Sequence, residues 1–344
     1  MAVISEGKVI KNLSVKLGCI LLAAVPLCLF GWVWLYAFSP GPQIDRSEIS
    51  VLISPDIGFR EIEQILVREK VIYKDLRFAL LARLMGAAHH LRAGEYFFES
   101  QVVPYQVLTD LVAGSVVRRA VIIPEGLSTF KIAEILAAGG WVDKDKFLSL
   151  TRDLEFIREL GLNVKSLEGY LFPDTYYLEI GGQTEEEIIS LMAARMQEVL
   201  FDLGVAGSSS DLDIHRLLTL ASIVEKETAM PRERPLIARV FLNRLAKNMR
   251  LQADPTVIYG LAKFDGNITR KDLRTPTPYN TYIIKGLPPG PIGNPGRASI
   301  EAVLDPAQES YYYFVSRNDG SHYFSKSLNE HNRAVFRYQQ NGKK

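Results

Sequence analysis

From Leu17 to Phe38 the chain reads LGCILLAAVPLCLFGWVWLYAF, 22 residues without a charge. As a helix this run would be ~33 Å long at 1.5 Å per residue, enough to cross a hydrocarbon core of ~30 Å. Trp32, Trp34 and Tyr36 gather at its end, as interfacial aromatics do, and Pro26 is tolerated in a membrane helix. Lys8, Lys11 and Lys16 precede the run, opposed only by Glu6, so the positive-inside rule keeps the N-terminus cytoplasmic and places the remainder outside the plasma membrane. A cleaved signal sequence is the competing reading. Its apolar region is usually ~7–15 residues, and a cut after the small residues Ala37 and Ser39 would leave Pro40 at the scissile bond. Cys28 follows Pro26 and Leu27, not the small residues that precede a lipid-modified cysteine. A retained single-pass anchor is therefore expected.

The two cysteines, Cys19 and Cys28, both fall inside the run, so the exported part has no disulfide framework. Forty basic against 39 acidic side chains leave a net charge of +1, which provides no field to draw in nucleic acid. With 47% apolar and 23% charged residues in a chain of 344, the composition is that of folded globular domains.

Ser39-Pro40-Gly41-Pro42 reads as the linker leaving the membrane. Beyond it lies an internal repeat. Val51-Leu52-Ile53 with Ile62, Ile65 and Leu66 recurs 70 residues later as Val121-Ile122-Ile123 with Ile132, Ile135 and Leu136. Each copy reads as a strand, a turn containing Gly58 or Gly126, and an amphipathic helix, followed by a Gly- and Tyr-containing strand at LRAGEYFF or LEGYLFPDTYYL. In an extracytoplasmic protein this strand-Gly-helix pattern resembles the LysM carbohydrate-binding module. The expected class is α+β. An N-terminal tail (1–16), a transmembrane helix (17–38) and a linker (39–48) lead to a LysM-like module (49–120) and a mixed α/β catalytic domain (121–344).

Within that last domain, TEEEIISLMAARMQEVL after Gln183 predicts a helix with acidic residues at its start. Asp213 is a candidate N-cap for the next, which carries LLTLASIVEKET. A further helix is expected over 235–247. The Pro- and Gly-rich stretch from Leu251 to Gly296 predicts ordered loop over a scaffold, where binding residues usually sit. A hairpin around Asn318-Asp319-Gly320 and a terminal helix from Leu328 complete the domain.

The sharpest chemical signal is Ser222-Ile223-Val224-Glu225-Lys226-Glu227-Thr228, two carboxylates at the end of an apolar helix. A carboxyl held against apolar surface resists ionisation and can act as a general acid, as in the protonation of a glycosidic oxygen. Spacing does not choose between Glu225 and Glu227, which flank the apolar face from opposite sides. Solvated side chains paired with Lys226 or Arg232 fit the same pattern.

ASIVEKETA is followed by RVFLNRL, RLQADPTVIYG, TPYNTY, GLPPGPIGNPG and YYYFVSRNDGSHYFSKSLNEHN, with EGYLFPDTY upstream. In this order, over nearly the whole exported chain, these motifs resemble the MltG (YceG-like) endolytic murein transglycosylase family. The resemblance implies that Glu225 is the catalytic residue. It also implies cleavage of the β-1,4 bond between N-acetylmuramic acid and N-acetylglucosamine in nascent glycan strands, leaving a 1,6-anhydromuramoyl end and terminating growth. Membrane attachment would place the enzyme beside the synthases that make the strands. Such a reaction uses the substrate's C6 hydroxyl instead of water, so one carboxyl group serves as both acid and base, and no metal or cofactor is needed.

Gln252, Asp254, Tyr259, Asn280, Tyr282 and Asn294, from the Pro/Gly-rich stretch, carry groups suited to sugar hydroxyls and acetamides and are the candidate substrate contacts. Glu168 and Asp174 read as structural, between the turn residues Gly169 and Pro173. His322 and His331, nine apart, match no zinc motif and read as network or surface residues. Two rivals remain: a non-catalytic wall-binding scaffold, and a muramidase using water with Asp254 as second carboxylate.

Overall fold

The computed structural model describes residues 24–45, 48–55, 57–114, 117–205 and 211–340. Residues 17–23 of the expected membrane span lie outside these. Over 24–37 the chain is helical (α1). No helix among the described residues is long and apolar enough to cross a membrane. Leu27, Leu29, Phe30, Trp34 and Leu35 of α1 are exposed, whereas Val33, Tyr36 and Ala37 are buried with the protein core that follows. The Arg77 guanidinium lies 5.1 Å from the Trp32 ring centroid and 4.6 Å from that of Tyr36. The last turn of the expected span thus packs on protein. Its apolar residues find a partner in the helices behind it.

Two units are distinguished, Met1–Arg119 with Glu179–Gln183 and Ala120–Leu178 with Thr184–Lys344. In the first, β1 (Glu48–Ile53) is followed by α2 (Phe59–Arg68), α3 (Leu76–Leu84), β2 (Gly94–Glu99) and α4 (Pro104–Ala113). β1 buries Ile49, Val51 and Ile53 on one face by strict alternation, and it pairs antiparallel with β2 so that Val51 faces Tyr96. Ile62 and Leu66, four apart on α2, cover the core that Phe78, Phe98 and Leu108 fill. Each such fully buried side chain contributes roughly 1.5–3 kcal/mol.

In the second unit β3 (Arg118–Ile122) pairs with β4 (Thr175–Glu179). Between them run α5 (Thr129–Ala138), α6 (Lys144–Leu150) and α7 (Leu154–Glu159). The order strand, helices, return strand therefore occurs twice, as the repeat predicts. α8 (Glu185–Asp202) starts in a capping box, the Thr184 hydroxyl accepting from the Glu187 N–H and the Glu187 carboxylate from the Thr184 N–H. α9 (Asp211–Glu227) begins two residues before the expected cap, so Asp213 lies in its first turn.

α9 is the axis of this unit. Leu217, Leu218 and Ala221 face a core with α5, α6 and α8. Leu220, Ile223 and Val224 face a second core with α10 (Arg234–Ala246) and α12 (Arg297–Leu304). The Pro/Gly-rich stretch folds as irregular chain interrupted by α11 (Asp254–Gly260), whose first turn accepts Pro255 because no intrahelical donor is needed there. The stretch is pinned to α9: Ile292 N–H donates to Ser222 Oγ (3.0 Å), and His215 Nε2 meets the Pro289 carbonyl (2.9 Å). The hairpin β5 (Tyr313–Ser316) and β6 (His322–Ser325) and the helix α13 (Leu328–Val335) end the unit. The architecture is α+β, with three two-stranded sheets among the described residues.

Candidate active site

Burial of α9 on two sides leaves its last turn to carry Glu225, Lys226 and Glu227 into three different surroundings. The Glu225 side chain is only 6% exposed. Its Oε1 accepts from Arg234 Nη2 at 3.0 Å and its Oε2 from the Gly296 backbone N–H at 3.0 Å. Gly296 is the N-cap of α12, so the carboxylate also lies at the positive end of a helix. Arg234, the first residue of α10, is 11% exposed. Its Nη2 also donates to Glu125 Oε2 at 3.5 Å, and the Glu125 side chain is 47% exposed.

Two glycines hold this arrangement open. Gly126 has φ +76°, and a Cβ there would stand 3.2 Å from Glu225 Cγ. A Cβ on Gly296 would fall 2.0 Å from Glu125 Oε1. Burial raises the Glu125 carboxyl above its ordinary range, the Glu225 charge adds to this, and Arg234 opposes both.

Glu227 lies elsewhere. It is partly buried and accepts no hydrogen bond among the described residues, and burial pushes its carboxyl up to about 8. The Asp254 charge adds to the rise and Arg244 opposes it. Asp254 Oδ1 accepts from Tyr282 Oη at 2.6 Å. The two glutamates of one turn are thus chemically opposite, Glu225 doubly hydrogen-bonded beside a guanidinium and Glu227 unbonded and reluctant to ionise.

Lys226 lines a groove of about 780 Å³ with Thr129, Phe130, Arg152, Glu168 and Tyr259. A smaller groove of about 450 Å³, with Lys165, His215, Tyr279 and Pro291, shares Ser166, Glu168 and Tyr259 with the first. Glu168 stands in the wall common to both. Its Oε1 accepts from the Thr129 N–H (2.9 Å), Thr129 Oγ1 (3.2 Å) and Asn294 Nδ2 (3.3 Å), and its Oε2 from Tyr259 Oη (3.0 Å). Burial raises this carboxyl, against the lowering effect of the Thr129 and Tyr259 bonds.

Of the six candidate substrate contacts, Tyr259 lines both grooves, and Gln252 and Asp254 are exposed. Tyr282 is half-buried and bonded to Asp254. Asn280 and Asn294 are both fully buried. Asn280 Nδ2 lies within donating distance of the carbonyls of Asp272, Leu273 and Thr275. Asn294 Nδ2 donates to Leu127 O as well as to Glu168, and its Oδ1 accepts from the Leu171 N–H. Their amides hold loops in place and do not reach the surface. His322 is a network residue, its Nδ1 2.7 Å from the buried Glu233. Asp174 bonds the adjacent Thr175 N–H and Arg195.

Glu125, Arg234 and the groove position of Glu168 are the features that sequence reasoning misses. The signal that existed was Pro124-Glu125-Gly126, an acidic residue directly before the turn glycine of the second repeat copy. Arg234 stands two residues beyond Arg232, which with Lys226 was one of two cations that fit a solvated pair.

The YceG-like family model matches residues 51–337. An endolytic murein transglycosylase of Bacillus subtilis (strain 168) is 32% identical over 328 residues, covering 90% of this chain and 91% of that protein. One of Streptococcus pneumoniae serotype 2 (strain D39) is 30% identical over 339 residues, covering 89% of this chain, which spans 61% of that longer protein. A YceG-like protein of Listeria monocytogenes, solved by crystallography at 2.6 Å, superposes with a TM-score of 0.55 at 34% identity, covering 83% of this chain and 98% of that one.

Proposed function

The chain belongs to the YceG-like family, and on that footing we propose that it is an endolytic murein transglycosylase. The observation that carries the proposal is similarity over nine-tenths of the chain to a relative of that name, of which the chain also covers nine-tenths. The substrate is the glycan of peptidoglycan. Glu225 is the catalytic residue. As an acid it gives its proton to the leaving O4 while the muramoyl C1–O4 bond breaks. As a carboxylate it takes the proton of the C6 hydroxyl while C1–O6 forms, and the strand ends in a 1,6-anhydro sugar. No water enters the balance. The low exposure of Glu225 supports this, since a water-poor site strengthens the fields acting on the reacting atoms.

Lys226, the residue after Glu225, lines the groove of about 780 Å³, and Tyr259 offers a ring face and a hydroxyl at its wall. Gln252, Asp254 and Tyr282, which line neither groove, keep their proposed role as substrate contacts. The outward apolar residues of α1 support a membrane anchor over 17–38, with the N-terminus cytoplasmic, the enzyme outside the plasma membrane and strand synthases as neighbours. The β1–β2 unit supports a LysM-like, wall-binding reading.

The test is mass analysis of uncrosslinked glycan strands digested by wild type and Glu225→Gln. Anhydro ends from wild type and none from the variant, with equal melting curves, are expected. Cleavage by the variant would remove Glu225 from its role. Reducing ends, heavier by one water, would make the enzyme a muramidase.

A further inference from the structure

Arg234 serves two carboxylates at once. Its Nη2 lies 3.0 Å from Glu225 Oε1 and 3.5 Å from Glu125 Oε2. A guanidinium keeps its charge throughout, so it needs an anion beside it in every state of the site. With both glutamates ionised the trio carries one negative charge in excess, and with one proton bound it is neutral. The proposed reaction requires Glu225 to hold a proton in one half and none in the other. When Glu225 is neutral it no longer balances Arg234, which is nearly buried, and the remaining anion within reach among the described residues is Glu125. The Arg234 Nε–H, buried and without an acceptor among the described residues, leaves the guanidinium a donor to spare for the exchange.

We propose that Glu125 is a positioning residue, which takes over Arg234 while Glu225 carries the proton and returns it when Glu225 becomes the base. This rests on the reading of Glu225 given above. The upward displacement of the Glu125 carboxyl agrees with it, since the Glu225 charge is one of its causes. So does the fit of Gly296, where any larger residue would collide with Glu125. Among the described residues, the charged groups near Glu225 are Glu125 from the turn after β3, Arg234 from α10 and Lys226 from its own helix. α12 contributes the Gly296 N–H, its Arg297 being engaged by Glu301 and Asp202.

The experiment is the pH profile of kcat on uncrosslinked glycan strands for the full chain and its Glu125→Gln, Arg234→Gln and Glu225→Gln variants. Gln at 125 keeps the shape that Gly296 accommodates and removes the charge. Arg234 is then left with Glu225 alone as its carboxylate partner among the described residues. We expect kcat to fall about tenfold with KM within about twofold, and the alkaline limb to move down by about one pH unit. Arg234→Gln moves the same limb upward, and melting curves check its fold. A Glu125→Gln enzyme with the wild-type kcat and profile overturns the inference, as does one that loses activity with its limb unmoved or moved in the same direction as Arg234→Gln. Cleavage by Glu225→Gln brings down the reading of Glu225 itself. An inert Glu225→Gln beside an unaltered Glu125→Gln brings down the positioning role alone.

Discussion

Glu227→Gln should change how stability depends on pH. Glu227 titrates near 4.5 in the unfolded chain and near 8 in the folded one, because burial disfavours its charge. Below pH 4.5 both states are neutral at this residue and folding feels no difference. Between 4.5 and 8 the unfolded chain releases the proton and the folded one keeps it, so the unfolding free energy falls as pH rises. At about 1.4 kcal/mol per pH unit the window amounts to about 5 kcal/mol as an upper limit. Glu227 retains part of its exposure, and local relaxation lowers the cost further, leaving about 2 kcal/mol. The loss is complete once pH passes the folded-state value. Gln at this position has nothing to titrate.

The assay is urea unfolding at fixed steps from pH 5 to 9. It follows the fluorescence of Trp141, the tryptophan of the second unit, in a Trp32→Phe, Trp34→Phe background. Histidines contribute equally to both proteins and cancel in the difference. The stability of the variant minus that of its parent should climb by about 2 kcal/mol between pH 5 and 8 and then level off. A difference that stays flat, or falls, would refute the placement of Glu227 in a charge-averse site.

Asn294→Ala should destabilise the second unit by about 3 kcal/mol in the same unfolding assay, through three lost hydrogen bonds and partners left unpaired in the core. Gly296→Ala should leave the melting temperature within about 2 °C, since the added methyl meets the movable end of Glu125. It should cut glycan cleavage about tenfold by pushing that carboxyl from Arg234. A chain beginning at Trp32 should fold like the parent. One beginning after Phe38 loses Val33, Tyr36 and Ala37 from the first unit's core and should melt lower by 10 °C or more, at about 4–8 °C per kcal/mol for a unit of this size.

Elements set by local rules were legible in the sequence. The acidic start and the period of α8, the Asn318-Asp319-Gly320 hairpin and the duplicated strand-helix pattern each depend on residues a few positions apart. The carboxylate at the end of α9 was legible as a pair, and similarity to a known family chose between its members. The surroundings that differentiate the pair were not. Glu225 meets Gly296 across 71 positions, Arg234 meets Glu125 across 109, and Asn294 meets Glu168 across 126. Such contacts are fixed by how helices and loops pack, and periodicity records only which face of a helix is apolar. For the same reason the internal hydrogen bonds of Asn280 and Asn294, polar residues of a Pro/Gly-rich stretch read as binding groups, were not legible.

The seating of Val33, Tyr36 and Ala37 in the first unit bears on where the chain can be cut without loss of that unit. A protease acting on α1 at these positions would find the peptide bonds screened by packing, and a cut there would strip the core it had to open. A cut in α1 that leaves the first unit intact is therefore confined to bonds upstream of Trp32.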